Sequence, residues 1–153
     1  MTHVCVISKE QVDALFSMKD AIKAVERCFF AYSDGKTGMP PIVTSYVKNY
    51  GGVLEIKSGY LETDCIGAKV ICYFEENPSK YGLPALTGVV VLNDLKTGIP
   101  IAIVNAAPIT ALRTGAAGAV AAKYLARRDS HSVGIIGTGV QGRYQLIGLN
   151  ELF

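Results

Sequence analysis

The pattern of apolar and polar positions changes period twice along the chain. Residues 4–7 form a short apolar run that predicts a strand. Ser8 then opens S-K-E-Q, a capping-box pattern closed by Gln11, and Val12, Leu15 and Phe16 supply the buried face of a short helix. Ser17 with Asp20 repeats the start signal. Ile22, Val25, Phe29 and Phe30 follow at helical spacing until Gly35, in SDGKTG, stops the helix. From Pro40 to Val104 the texture becomes β-branched and aromatic, predicting strands at 42–47, 53–58, 66–74, 86–92 and 99–104. Turn sequences, Asn49-Tyr-Gly-Gly and NDLKTG, join pairs of them, so the sheet is predicted to be mostly antiparallel or mixed.

A third texture follows. The stretch PITALRTGAAGAVAAKYLARRD predicts a well-buried helix whose small residues allow close approach. If Thr110 caps it, Arg113 lies in its first turn, and Arg127 and Arg128 meet the negative end of the dipole. Residues 132–136 then read as a buried strand, followed by Gly137, Gly139 and Gly142 in G-x-G-x-x-G and an amphipathic helix over 140–153. This is how a dinucleotide-binding unit opens, with only its first strand and helix present. The boundary is placed between Arg128 and Ser132, giving segments 1–129 and 130–153.

Composition narrows the class. Half of the 153 residues are hydrophobic and 18% are charged, which excludes disorder and suits an α/β core. A net charge of +2 without a Lys/Arg-rich run implies no nucleic-acid partner. The four cysteines, Cys5, Cys28, Cys65 and Cys72, show no C-x-x-C spacing and read as small core hydrophobes in a reduced compartment. No signal peptide and no membrane-length apolar run are visible, so a cytoplasmic protein is expected.

Three features carry chemistry. The glycines permit a tight turn and let a pyrophosphate approach the backbone at a positive helix end, against the alternative of a purely structural turn. The acidic residue that distinguishes NAD from NADP would lie about 20 positions on, past Phe153, so the choice between the two stays open. Arg113 in a first turn would make sense beside an anion, or paired with a nearby acid. Lys69 stands in the otherwise apolar run CIGAKVICYF, where an ammonium needs a partner, an edge position, or a substrate-facing cleft. Lys57 raises the same question with less force, because it alternates with Ile56 and Glu55 as an exposed strand face would. Glu75 and Glu76 read as a solvated loop. His3 and His131 have no ligand partners at metal spacing.

Together these stretches resemble the ornithine cyclodeaminase/mu-crystallin family. The match is carried by MPP at 39–41, GAKVICYFEENP at 67–78, GLPALTGVVVLNDLKTGIPIAIV at 82–104, ITALRTGAAGAVAAKYLAR at 109–127 and the GTGVQG turn. It covers nearly the whole chain and about the first half of a typical member. The resemblance implies an α/β protein: an N-terminal α+β substrate-binding and dimerisation domain with a mixed sheet over 1–129, then the truncated start of a Rossmann NAD(P)-binding domain over 130–153. It implies a homodimer using NAD or NADP on an amino acid or cyclic imine, by hydride transfer at a Cα–N centre. By motif match Lys69 is the catalytic, substrate-contacting lysine; Lys57 is the substrate-binding candidate to which carboxylate recognition would pass where the family's arginine is missing. Arg113, with Thr114 beside it, meets the cofactor phosphates. Thr87 lies where a threonine meets the cofactor, and Gly137, Gly139, Val140, Gln141 and Gly142 form the cofactor loop. Many members carry an arginine after the proline pair; here Ile42 stands there, so carboxylate recognition is redistributed. The catalytic aspartate of the family belongs to the second half, and the chain alone is expected to be inactive, with Leu146, Ile147 and Leu149 partly uncovered. The alternative implied is a mu-crystallin-like protein that binds NAD(P)H and a small ligand without significant catalysis.

Overall fold

Both capping boxes form as their spacing predicts. In the computed structural model, which describes residues 3–153, the Gln11 backbone N–H donates to Ser8 Oγ at 3.3 Å and the Ser8 N–H to Gln11 Oε1 at 2.8 Å. They open α1 (Lys9–Leu15). Ser17 and Asp20 do the same at 3.2 and 3.3 Å for α2 (Met18–Ser33). Two orphan N–H groups are thereby satisfied at each start.

The strands are β1 (Cys5–Ile7), β2 (Thr37–Gly38), β3 (Val43–Val47), β4 (Gly52–Leu61), β5 (Cys65–Phe74), β6 (Leu86–Asp94) and β7 (Pro100–Asn105). Among the described residues they make one seven-stranded mixed sheet, ordered β1-β7-β6-β5-β4-β2, with β3 also on β4. Only β1 and β7 run parallel. β4 extends beyond the predicted 53–58 because Tyr60 and Leu61 pair with Gly38 and Thr37 of β2. That strand is too short to show a period. A further short helix, α3 (Asn77–Tyr81), occupies the segment expected as loop, and Lys80 reaches back one turn to Glu76 at 2.5 Å.

Register assigns each strand two faces. Lys57, Lys69, Val90 and Val104 are paired in series and share one face. On the same face Val90, Leu92 and Ile109 pack around a core of Val12, Ala102 and Val104. The opposite face carries Val6, Ile56, Val70, Val89 and Ile101, and no helix covers it among the described residues. Val6, Val89 and Ile101 are exposed there.

The covering helix is α4 (Ala106–Leu125), and it starts four residues earlier than Thr110. Asn105 is the cap, its side chain accepting from the Ala107 N–H at 3.1 Å. Pro108 falls in the first turn, where its missing N–H is no loss. The helix also ends before the paired arginines. Lys123 is the basic residue of the last turn, while Arg127 pairs with Asp129 at 3.7 Å. On its second side α4 packs against α2, with Leu112, Ala116, Ala119 and Val120 buried against Met18, Ala21 and Ile22.

Residues 132–136 do not form a strand. No strand runs beside them among the described residues, so their backbone groups have no ladder, and Val133 and Ile136 are exposed. The helix after them, α5 (Val140–Asn150), packs on α4 through glycine. A Cβ at Gly148 would meet the Gly115 carbonyl oxygen at 2.8 Å, and one at Gly115 would collide with the Tyr144 carbonyl. Gln145 Nε2 donates to the Thr114 carbonyl at 3.1 Å. Leu146 and Ile147 remain exposed and Leu149 half-buried, as expected.

This contact generates a direct test. Gly115→Val should lower unfolding stability by about 1–3 kcal/mol, because neither backbone can move aside without cost. Denaturant titration measures it, and an unchanged midpoint would refute the close-packed contact.

Candidate functional site

Where β4 and β5 emerge from beneath α4, the helix-facing side of the sheet becomes polar. Lys69 projects from the centre of β5, and its Nζ donates to Thr110 Oγ1 at 3.2 Å. Thr110 is not the helix cap. It is a buried residue one turn into α4, and its hydroxyl joins sheet to helix. Lys69 finds no acid to pair with among the described residues. Desolvation pushes its ammonium down to about 8, and the nearby Arg113 and Lys57 charges push the same way, against a smaller opposing effect of Glu55.

Lys57 lies directly across the ladder from Lys69. It is not on a free surface: its Nζ pairs with Glu55 Oε2 at 2.7 Å, and both side chains are 31% exposed. Its ammonium is therefore already engaged. Glu55 drew notice in the sequence only as part of an alternating strand. The usable signal was its offset of two from Lys57, which places both on one face.

Arg113 departs from the sequence expectation in position but not in freedom. With Ala106 first in α4, Arg113 lies in the third turn, so the helix end exerts no pull on it. It is exposed and has no ion-pair partner among the described residues, which removes the alternative of a paired arginine. Thr110, Arg113 and Thr114 share one face of α4, and Thr114 Oγ1 donates to the Thr110 carbonyl at 2.7 Å.

The glycine turn approaches this cluster through α5. Gln145, held on Thr114, stands five residues after Val140, so the tip of α5 lies about 8 Å along the helix axis from that contact. Gly139 occupies the cap position with no side-chain hydrogen bond. Gly137 has φ 97°, and a Cβ on Gly142 would collide with the Gly137 carbonyl. Nothing lies within 4 Å of where a Cβ would stand on Gly137 or Gly139, so the tip is open. Val140 and Gln141 are exposed in the first turn. Thr87 is exposed on β6 opposite Cys72, three register steps from the Lys69–Val90 pair.

Other expectations fare differently. Cys5 and Cys28 are exposed and Cys65 and Cys72 half-buried, so the cysteines are not core residues; β1 is an edge strand and α2 turns Cys28 outward. A concavity of about 650 Å³ is lined by Arg128, His131, Leu146, Leu149 and Phe153 on the open flank of α5, and neither Lys69 nor Arg113 lines it. Among the described residues no helix is long and apolar enough to cross a membrane.

Comparison with known proteins agrees with this layout. The family model for ornithine cyclodeaminase/mu-crystallin matches residues 3–153. An alanine dehydrogenase of Archaeoglobus fulgidus is 41% identical over 148 residues, covering 97% of this chain and 45% of that protein. The structure of Thermococcus litoralis Δ1-pyrroline-2-carboxylate reductase with NADH and L-proline superposes with TM-score 0.92 at 41% identity, over 97% of this chain and 46% of that one. An archaeal alanine dehydrogenase dimer with bound NAD gives 0.93 at 40% identity, over 98% and 46%. The chain thus spans less than half the length of these relatives.

The electrostatics of Lys69 can be measured. Its folded pKa lies below the unfolded 10.5, so the charged form is the disfavoured one. The resulting cost to stability is complete below about pH 8 and vanishes above 10.5, because between them the unfolded chain binds more protons. Wild type should therefore gain stability relative to Lys69→Met as pH rises through that window, and not below it. Parallel denaturation curves at several pH values test this, and a constant difference would contradict it.

Proposed function

Since the chain belongs to the ornithine cyclodeaminase/mu-crystallin family, we propose that it carries the substrate side, and the opening of the nucleotide side, of an NAD(P)-dependent oxidoreductase or cyclodeaminase acting on an amino acid or cyclic imine. In this reading 1–129 is the substrate and dimerisation unit and 130–153 begins the Rossmann unit. The observation that carries it is a pair of cations, Lys69 and Arg113, without carboxylate partners among the described residues, on the sheet and on the helix that Gln145 of the glycine-opened α5 contacts at Thr114.

The residues present fit a dinucleotide. Gly137 and Gly139 leave space for a pyrophosphate against the α5 N–H groups, and Gly142 seats the helix close enough to offer them. Arg113 supplies the balancing charge from α4, with Thr114, Val140 and Gln141 as further contacts, whereas Thr87, an odd number of register steps from the Lys69–Val90 pair, lies on the other face of the sheet. A nicotinamide held there would supply a hydride acceptor or donor for the substrate carbon bearing nitrogen. Lys69 anchors the substrate carboxylate, and Thr110 fixes the direction of its ammonium by hydrogen bonding. Desolvation makes that ammonium a poor guest in the empty site and a stronger partner for an arriving anion.

A homodimer follows from the other side of the sheet. The uncovered face bearing Val6, Ile56, Val70, Val89 and Ile101 is apolar, and a second copy of the chain would bury it across a twofold axis.

Two variants separate the roles. Arg113→Ala should weaken NADH binding by roughly 10–100-fold, the loss of a charge-assisted contact. In the intact enzyme, Lys69→Ala should leave NADH affinity within about twofold yet abolish turnover of L-amino acids and cyclic imines, since it removes a substrate anchor alone. Calorimetry and nicotinamide absorbance read the two. Full activity in that variant would discard the assignment, and ligand binding without any turnover by the intact wild-type enzyme would favour a binding protein.

A further inference from the structure

Lys69 is placed less like a resting cation than like a reactive amine. It is half-buried at the centre of β5, with Lys57 directly opposite across the ladder. Its Nζ donates to Thr110, and Arg113 stands three residues further along α4. No carboxylate pairs with it among the described residues, and Glu55, an acid on the same face, is held by Lys57 at 2.7 Å. An amine that is desolvated and set beside other cations is driven toward its uncharged form, and an uncharged amine is a nucleophile. Desolvation first, then the Arg113 and Lys57 charges, bring the Lys69 ammonium down to about 8.

Thr110 is placed to assist it. Its hydroxyl oxygen accepts from Nζ at 3.2 Å, while its own O–H donates to no group among the described residues. The residue is only 6% exposed, so that proton is not spent on bulk water. A carbonyl carbon brought to Nζ carries its oxygen within reach of this O–H. Arg113, exposed and without an ion pair among the described residues, has its Cβ about 5–6 Å from that of Thr110. An anionic group a short chain away from the carbonyl would meet the guanidinium.

We propose that Lys69 is a site of covalent capture, its amine forming an imine with a small anionic aldehyde while Thr110 polarises the carbonyl oxygen and Arg113 holds the anionic end. The proposal goes beyond the redox reading and does not rest on it, because it requires the amine, the hydroxyl and the guanidinium alone. The Nζ lone pair forms the C–N bond as the carbonyl π pair moves to oxygen, which takes up a proton. The hydroxyl of this carbinolamine then leaves as water and C=N forms. Water carries away the two protons that nitrogen loses, so no oxidant or reductant is consumed. Hydrolysis reverses the capture, which makes the site one that such aldehydes block reversibly.

The probes are 4-oxobutanoate and butanal, which share an aldehyde and differ in the terminal carboxylate. Cyanoborohydride fixes the imine, and peptide mass mapping locates it in the intact, cofactor-free protein. At neutral pH, 4-oxobutanoate should alkylate Lys69 on the order of tenfold faster than the exposed Lys19 and Lys96. Arg113→Ala should slow 4-oxobutanoate at Lys69 roughly fivefold more than it slows butanal, the loss of a charge-assisted contact. Thr110→Val should slow both aldehydes at Lys69 with Lys19 unaffected, and Thr110→Ser, which keeps the hydroxyl, should retain the wild-type rate. Lys69 alkylated no faster than Lys19, or Thr110→Val alkylated there like wild type, would overturn the capture site. Equal slowing of the two aldehydes by Arg113→Ala would overturn the preference for an anionic one.

Discussion

The arrangement depends on how closely α4 approaches its neighbours. Ala116 and Ala119 are fully buried against α2, and Gly115 meets the Gly148 and Tyr144 backbone of α5 with no side chain between them. Bulkier residues at these positions would push the helices apart and carry Thr110 and Arg113 with them. With α4 seated, the hydroxyl of Thr110 comes within 3.2 Å of Lys69 on the sheet, and α5 is held where its glycine tip approaches the same end of α4. A packing constraint thus sets the electrostatic geometry.

That geometry is costly in itself. Desolvation disfavours the Lys69 ammonium, and the Arg113 and Lys57 charges add to the penalty. The single acid is largely spent on Lys57. Buried charge without enough counter-charge lowers the stability of the empty protein, and the same imbalance becomes attraction for an anion.

Local devices were readable from the amino acids. Ser8 with Gln11 and Ser17 with Asp20 formed capping boxes because such bonds involve neighbours three residues apart. The long strands were readable too, from β-branched runs with turn residues between them. The start of α4 was not. Thr110 is a good cap type, yet Asn105 caps the helix five residues earlier, and Arg113 moved from first turn to third. The strand expected over 132–136 also failed, since an apolar run becomes a strand only when another strand lies beside it.

What the amino-acid order determined by itself was the sequence of elements, the lysine misplaced in an apolar strand, the unusual density of glycine and alanine, and the family likeness. Each depends on residues near one another along the chain or on a recognisable motif. Tertiary structure alone decided that Arg113 has no ion-pair partner among the described residues and that Thr110 receives Lys69. Those facts join residues as far apart as β5 and α4. Charge pairing and desolvation follow distance in space, and only the folded chain defines that distance.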